Sequence, residues 1–355
     1  MEGLNPAVSI VIVNYNARAY INACLDSVLK TRYDNFEIVV VDNGSQDESV
    51  KYLNEAVNIN PRIKCVFNNS NLGPSVARNI GAEKTRGKYI AFLDNDTLVD
   101  SGWLNEPVRL FETSPDIGAC QCKLILSDTD NIIDCVGEYL GQNGFLVQAA
   151  IPGEERDNGQ YDNLGSIFAA KSAGMLIRKE LFERIGGFDE DYFIYLEESD
   201  LCWRVWLHGF RVVLSPRSVV YHKFGTSSVV LSDKINYLVK FHGTKNYIAT
   251  LFKNLGSVNL LIILPQHMII WFCVMIVFLL KGQADSAKWI LAGITWDFVH
   301  FRKLFRKRKI VQGQRGIQDN ELFPKIMRRK SLSYFIAKIR RKKKIGQAVG
   351  WDKGS

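Results

Sequence analysis

Six carboxylates fall within the 22 residues Phe188–Gly209, FDEDYFIYLEESDLCWRVWLHG. They are interleaved with aromatic and aliphatic residues, a poor composition for a plain core helix. An unpaired carboxylate is costly to bury, so such a group needs cations, hydrogen bonds or a shared proton. The stretch is therefore either a hydrated face or the acid/base part of a site. A second acidic group, Asp94-Asn95-Asp96, stands far upstream. Two carboxylates one residue apart offer hard oxygen ligands suited to Mg2+ or Mn2+, and such an ion keeps positions open for phosphate oxygens. The same residues could instead form an Asx-rich turn that caps the next helix.

Missing motifs narrow the chemistry. There is no GxxxxGK[ST] loop, and no GxGxxG follows the first apolar strand, which argues against kinase and dinucleotide chemistry. A nucleotide diphosphate held by a metal fits better. The reaction suggested is attack of a hydroxyl on a carbon that carries a diphosphate leaving group. The metal neutralises the departing charge, and a carboxylate takes the hydroxyl proton.

The elements that must position these groups alternate between strand and helix. Val8–Val13, Glu37–Val41, Ile63–Phe67 and Tyr89–Leu93 are apolar β-type runs. Helical spacing covers Tyr20–Leu29 and Pro74–Lys84. Strands that are apolar on both faces predict a mostly parallel sheet covered by helices on each side, an α/β fold. Ligands bind outside the carboxyl ends of such strands. Asn14 and Tyr15, Asp42, and Asp94 with Asp96 all follow strand ends directly. Further on, Ile117–Leu126 and Phe168–Ile177 read as strands, Asp128–Asp162 as a Gly-dotted loop over part of the site, and Lys179–Ile185 as a short helix. Ser199–His208 reads as a helix, Phe210–Leu214 and Val219–Tyr221 as two short strands, and Lys223–Leu231 as a lid-like loop.

Four stretches in order then resemble the family 2 glycosyltransferases with the GT-A fold. They are VSIVIVNYN (Val8–Asn16), IVVVDNGSQDES (Ile38–Ser49), NLGPSVARNIGAEKTRGKYIAFLDND (Asn71–Asp96) and GGFDEDYFIYLEESDLCWRVWLHGFRV (Gly186–Val212). The GGFDE with a later His is similar to the rhamnosyltransferase-like branch that builds surface polysaccharides and lipid-linked glycans. The resemblance implies a GT-A, Rossmann-like fold and an inverting mechanism. It implies that Val13, Tyr15 and Asp42 hold the nucleobase, and that Asn71, Gly73 and Arg78 form the wall near base and ribose. Asp94, with Asn95, meets the ribose or diphosphate. Asp96 and His222 bind Mn2+ or Mg2+, and Glu198 is the catalytic base. The family usually has Asp where this chain has Glu198, one methylene longer. Arg204 faces the diphosphate or pairs with Asp200 or Glu197. Trp203 and Trp206 line an acceptor surface or belong to the core. The partners implied are a nucleotide diphosphate sugar donor and a glycan or lipid-linked acceptor. A polyprenyl-phosphate glycosyltransferase and a non-enzymatic membrane scaffold are the rival readings. No QxxRW appears, and LDNDTLVD replaces the DADLQ type of the polyprenyl-phosphate sugar synthases.

The net charge of +8 conceals an asymmetry. From Lys281 onward there are 20 Lys/Arg against 5 Asp/Glu, so residues 1–280 carry a net −7. The basic segments follow an apolar run, Leu260–Leu280, long enough to span a bilayer, and a shorter one, Trp289–Val299. A transmembrane hairpin and an interfacial helix pair on an anionic membrane surface both fit. Nucleic acid is not an expected partner. The layout predicted is a catalytic domain over 1–230, a helical membrane-associating region over 231–310 and a basic tail over 311–355, on the cytoplasmic face of the cell membrane. The N-terminus shows no basic start or cleavage site, so no leader is expected. The seven Cys show no CxxC or zinc spacing, which predicts buried reduced thiols.

Overall fold

A computed structural model describes residues 7–223, 237–331 and Tyr334 of the 355-residue chain. Its centre is a sheet in the order β10-β12-β6-β11-β4-β1-β2-β3, with β5 paired to β12 and β7 to β6. The strands are β1 Val8–Asn14, β2 Phe36–Asp42, β3 Ile63–Phe67, β4 Tyr89–Asp94, β5 Thr97–Val99 and β6 Ile117–Leu126. They continue with β7 Ile133–Cys135, β8 Glu138–Leu140, β9 Leu146–Gln148, β10 Ser166–Ile167, β11 Met175–Arg178 and β12 Arg211–His222. The β1–β2, β2–β3, β1–β4 and β6–β12 pairs are parallel, and β11 runs antiparallel between β4 and β6. β8 and β9 form a separate hairpin.

β1, β2 and β4 follow the apolar runs in the sequence because each is buried on both faces, whereas β3 at the sheet edge buries only Ile63. Ile10, Ile12, Val39 and Val40 have no exposed surface, and full burial of such a side chain is worth about 1.5–3 kcal/mol. The covering helices are α1 Arg18–Leu29, α2 Ser49–Ile59, α3 Pro74–Glu83, α4 Asn105–Thr113, α5 Lys179–Arg184 and α6 Glu197–Leu207. α1 buries Ile21, Cys24, Leu25 and Val28, one stripe at helical spacing. α3 begins with Pro74 in its first turn, where proline's missing N–H costs nothing.

Three expectations are corrected in detail. Phe168–Ile177 is not one strand: the 3₁₀ turn Ser172–Gly174 interrupts it, and β10 and β11 pair with different neighbours. The turn frees Lys171 and Ser172 from sheet pairing, presenting Lys171 to the cleft described below and Ser172 to Glu198. The two short strands expected after Gly209 are one strand, β12, with a register break between Ser215 and Val219. Pro216 lies in that break, where its missing N–H leaves no ladder bond unmade. The expected loop Asp128–Asp162 contains β7, β8 and β9. The lid expected at Lys223–Leu231 lies, beyond Lys223, outside the described residues.

The C-terminal helices are α7 Gly243–Asn254, preceded by a π-helical turn Leu238–His242, then α8 Ser257–Leu280, α9 Ala284–Val299, α10 Phe301–Gly313 and α11 Asp319–Ile326. They dock on the sheet layer. Leu251, Leu255, Ile263, Leu322 and Ile326 join the same core as β6, β11 and α6. The segment expected to start a basic tail at 311 is therefore packed as far as α11, because Leu322 and Ile326 lie four residues apart on one helix face.

Candidate active site

A cleft of about 560 Å³ opens at the carboxyl ends of the parallel strands. Sheet register explains which residues meet there. Val13 of β1 lies beside Val41 of β2 on one side and Asp94 of β4 on the other. Val13, Tyr15, Asn43 and Asn71 line one end of the cleft. Asn43 Nδ2 donates to Asn71 Oδ1 at 2.9 Å, and Asn71 Oδ1 also accepts the Gly73 N–H at 2.9 Å. Gly73 has φ +83°, and a Cβ there would lie 2.8 Å from Phe193, so backbone geometry and space both require glycine. Asn95 reaches the cleft and donates to Asn14 Oδ1 at 3.1 Å.

Asp94 and Asp96 line the cleft, His222 stands beside them, and the three offer ligand atoms that all lie within 4.8 Å of one another. These residues are distant in sequence, but β5 pairs antiparallel with the end of β12 and sets His222 opposite Thr97. His222 Nδ1 is bonded to Asp134 Oδ2 at 2.8 Å, and its Nε2 lies 3.5 Å from Asp96 Oδ1. With Nδ1 carrying the proton toward Asp134, Nε2 is the ring atom left to ligate a cation. Two carboxylates and an oriented imidazole are a donor set that fits Mn2+ or Mg2+. In the protein alone, burial disfavours charge on His222. Its bonds to Asp134 and Asp96 outweigh burial and raise its pKa well above the usual value. Burial also raises Asp94, against the pull of Arg78.

Arg78 joins the strand ends to α6. Its guanidinium donates to Asp94 Oδ1 and Glu197 Oε1, both at 3.0 Å. The two acids at the start of α6 diverge. Burial, and then the neighbouring Glu198 charge, push Glu197 up to about 7 despite Arg78. Burial works on Glu198 as well, but the Lys171 ammonium, the Arg78 guanidinium and the Ser172 hydrogen bond outweigh it and hold the Glu198 carboxyl below the usual range. Glu198 Oε1 accepts the Ser172 hydroxyl at 2.8 Å and its N–H at 3.3 Å. Beyond Glu198 the cleft is lined by Glu138, Lys171, Gln148, Tyr247 and Trp271. Lys171 Nζ lies 3.0 Å from Glu138.

The backbone entering α6 is strained. Tyr195 and Leu196 both have left-handed φ, at +70° and +64°. Two consecutive non-glycine residues persist in that region only where their surroundings hold them. Asn246 of α7 holds this pair: its Nδ2 donates to Ile194 O at 2.9 Å and to Tyr195 O at 2.7 Å.

Three expected binding residues, Asp42, Gly73 and Arg204, are not part of the cleft wall. Asp42 is 1% exposed; its carboxylate accepts from Asn14 at 2.8 Å and from the Ser45 N–H at 2.9 Å, so it braces the turn while Asn43 takes the wall. Arg204 lies along α6, where Nε donates to Asp200 at 3.0 Å and Nη1 to Ile185 O at 2.7 Å. It sits one turn down a buried helix, 6% exposed and packed into the core. Trp203 and Trp206 are core residues as well, 1% and 2% exposed. Asp134, Asn43 and Asn246 were missed. Only Asn43 carried a local signal, the DNG turn after β2.

Comparison with known proteins agrees with this geometry. The model of the family described as "Glycosyl transferase family 2" matches residues 9–186 of the 355. The chain belongs to glycosyl transferase family 2. It is 42% identical over 104 residues to an uncharacterized glycosyltransferase of Haemophilus influenzae, covering 29% of this chain and 42% of that protein. It is 38% identical over 96 residues to the putative teichuronic acid biosynthesis glycosyltransferase TuaG of Bacillus subtilis, covering 27% of this chain and 38% of that one. Each of these matches thus covers less than half of the relative's length. Among solved structures, the mannosyltransferase PcManGT from Pyrobaculum calidifontis in complex with GDP-Man and Mn2+ superposes with TM-score 0.53 at 15% identity, over 88% of this chain and 86% of that one. The fold of this family 2 chain is the GT-A fold, a Rossmann-like sheet flanked by helices.

Proposed function

We propose that this chain is an inverting, divalent-metal-dependent glycosyltransferase. It moves one sugar from a nucleotide diphosphate sugar to a hydroxyl of a lipid-linked glycan in polysaccharide biosynthesis. One observation carries this reading: the Asp94–Asp96–His222 cluster and the ionised Glu198 share one cleft, whose far end is a strand-edge wall suited to a nucleoside. The biosynthetic name of TuaG and the GDP-Man and Mn2+ complex of PcManGT are consistent with it.

Val13, Tyr15 and Asn71 hold the base and ribose, and Asn95 stands beside the diphosphate. Asp94, Asp96 and His222 hold Mn2+ or Mg2+, which when bound offsets charge on the leaving diphosphate. The acceptor hydroxyl oxygen forms a bond to the anomeric carbon from the face opposite the diphosphate. The carbon–oxygen bond to the diphosphate breaks with its electron pair, and the hydroxyl proton passes to Glu198. Attack from the opposite face inverts the configuration. Ser172 orients the Glu198 carboxylate through Oε1. Lys171 keeps Glu198 ionised before the step.

The remaining assignments are a catalytic unit over residues 1–230, a helical membrane-associating region after it, and work at the cytoplasmic face. The test is a panel of nucleotide sugars with purified protein, Mn2+ or Mg2+ and membrane lipid extract. Nucleoside diphosphate release coupled to a new glycosidic bond is expected. A sugar joined to lipid phosphate would assign the alternative reaction, and no transfer from any donor would refute the reading.

A further inference from the structure

Helix α8 has 24 residues, about 36 Å at the usual rise and enough to cross a bilayer. Its contacts argue against crossing. The eleventh residue, His267, is fully buried against the catalytic body. His267 Nδ1 is bonded to Asn143 O at 2.9 Å, and its Nε2 accepts the Trp271 Nε1–H at 3.0 Å. Its ring lies 4.0 Å from that of Phe145, centre to centre. Asn143 and Phe145 belong to the β8–β9 turn, and that hairpin supplies Glu138, Leu146 and Gln148 to the cleft. Toward the start of α8, Leu260 and Leu264 pack on the central core, and toward its end Met275 and Phe278 pack beside Ile290 and Ile294 of α9. One face of the helix therefore packs from Leu260 to Phe278, first on the central core and then on α7 and α9, with Ile263 and His267 its buried residues. Were α8 to span a bilayer, its midpoint would carry the β8–β9 turn and the charged cleft into hydrocarbon, where backbone and ionised groups find no solvent.

The opposite face is apolar and open. Leu261 is 78% exposed, Ile269 61%, Ile276 51% and Leu280 82%. After α9, exposed Phe301 and Phe305 alternate with exposed Arg302 and Arg306 on α10. These two arginines make no ion pair among the described residues. An apolar ridge beside unpaired cations matches the surface of an anionic leaflet in both hydrophobicity and charge.

We propose that α8 lies in the plane of one anionic lipid leaflet, with its Leu261–Leu280 face immersed, so that the protein seats on the membrane without crossing it. Trp271 then sets the outer mouth of the cleft at the lipid surface. Resting on the glycosyl-transfer reading, this makes Trp271 and Tyr247 the threshold across which a lipid-linked acceptor reaches Glu198.

The test uses the full chain, with Cys273→Ser and Cys65→Ser as background. A single thiol is placed at Glu48→Cys in the catalytic body or at Lys281→Cys at the far end of α8. Protein bound to sealed 3:1 phosphatidylcholine–phosphatidylglycerol vesicles is treated with a membrane-impermeant maleimide, before and after a pore-former opens them. Equal labelling before and after opening is expected for both thiols. Labelling at Lys281→Cys that appears only after opening shows a span and overturns the proposal. In flotation, Ile269→Asp with Phe272→Asp should weaken vesicle binding at least tenfold, with an unchanged melting temperature and undiminished transfer to an acceptor freed of its lipid. Retained vesicle binding overturns the proposal. So does a lipid-free dimer of the parent that the double variant dissolves while the parent binds no vesicles, which would assign the face to a second copy. Absence of any transfer by the parent protein would refute the proposed function alone and leave the labelling result standing.

Discussion

Two acidic groups in this molecule have similar composition and opposite fates. Asp94 and Asp96 lie at the strand edge with one imidazole and one guanidinium, which is itself shared with Glu197. Asp189, Asp191 and Asp200 lie on the other side of α6 among lysines. Lys253 reaches Asp200 at 2.9 Å and also pairs with Asp189. Lys307 pairs with Asp189 and, at 2.6 Å, with Asp191, which Lys303 reaches at 2.5 Å. These cations come from α7 and α10, so the second group clamps the C-terminal helices to the GGFDE segment. The local ratio of cations to carboxylates separates the roles. Where lysines match the acids, the group is structural; where, among the described residues, an imidazole and a guanidinium take the place of lysines beside a cleft, the arrangement suits a metal ion and a proton. Of the six carboxylates at Phe188–Gly209, Asp189, Asp191 and Asp200 belong to the clamp, and Glu197 and Glu198 line the cleft.

The largest effect that would break this contrast is on turnover. Glu198→Gln removes the proton acceptor and should lower transfer by about 10²–10⁴, with nucleotide binding by calorimetry unchanged. The same loss from Glu197→Gln, with Glu198→Gln active, would move the base one residue. Next, Asp96→Ala should abolish metal-stimulated transfer, read as activity against added Mn2+; activity that persists in EDTA would remove the metal from the cleft.

Stability then sharpens the comparison. Lys253→Met leaves Asp189 and Asp200 buried without their main partner and should cost about 3–5 kcal/mol in denaturant unfolding. Asp96→Asn, which relieves like charge without a metal present, should leave stability unchanged or higher. Equal losses from both variants would erase the distinction. The smallest effect is in acid. Burial pushes Asp189, Asp191 and Asp200 up, but the lysines around them dominate and hold all three below the ordinary carboxylate value. A depressed folded pKa contributes stability that is fully present above the unfolded value, about 4, and is lost as pH falls below it. Unfolding midpoints should therefore drop more steeply below about pH 4 in the parent than in Asp191→Asn, and parallel curves would deny the clamp.

Legibility followed the range of the interactions. β1, β2 and β4 were readable because a strand buried on both faces writes its burial into a continuous apolar run, and the polar ends of β1 and β4 gave Tyr15, Asp94 and Asp96 as wall or cluster residues, while Asn71 came from the family resemblance. At Asp42 the same rule places a residue at a strand end without saying which way its carboxylate turns; Ser45 and Asn14 decide that. Arg204 followed from helical position, but the choice between cleft and core depended on the packing of α6 against Ile185 and Asp200.

By itself, then, the sequence determined the parallel strands β1 to β4, the edge at which the cleft opens, the acidic candidates and an apolar helix followed by basic charge. Local propensity and burial periodicity act over a few residues, and those features need nothing more. The tertiary structure alone decided that Asp134 orients His222, that Asn246 holds the strained Tyr195–Leu196 turn, that Lys253 and Lys307 convert half of an acidic stretch into a clamp, and that Trp271 of the apolar helix borders the cleft. The first three join residues 51 to 118 positions apart, and such pairings are fixed by which helix face meets which loop, a property no local window of residues carries.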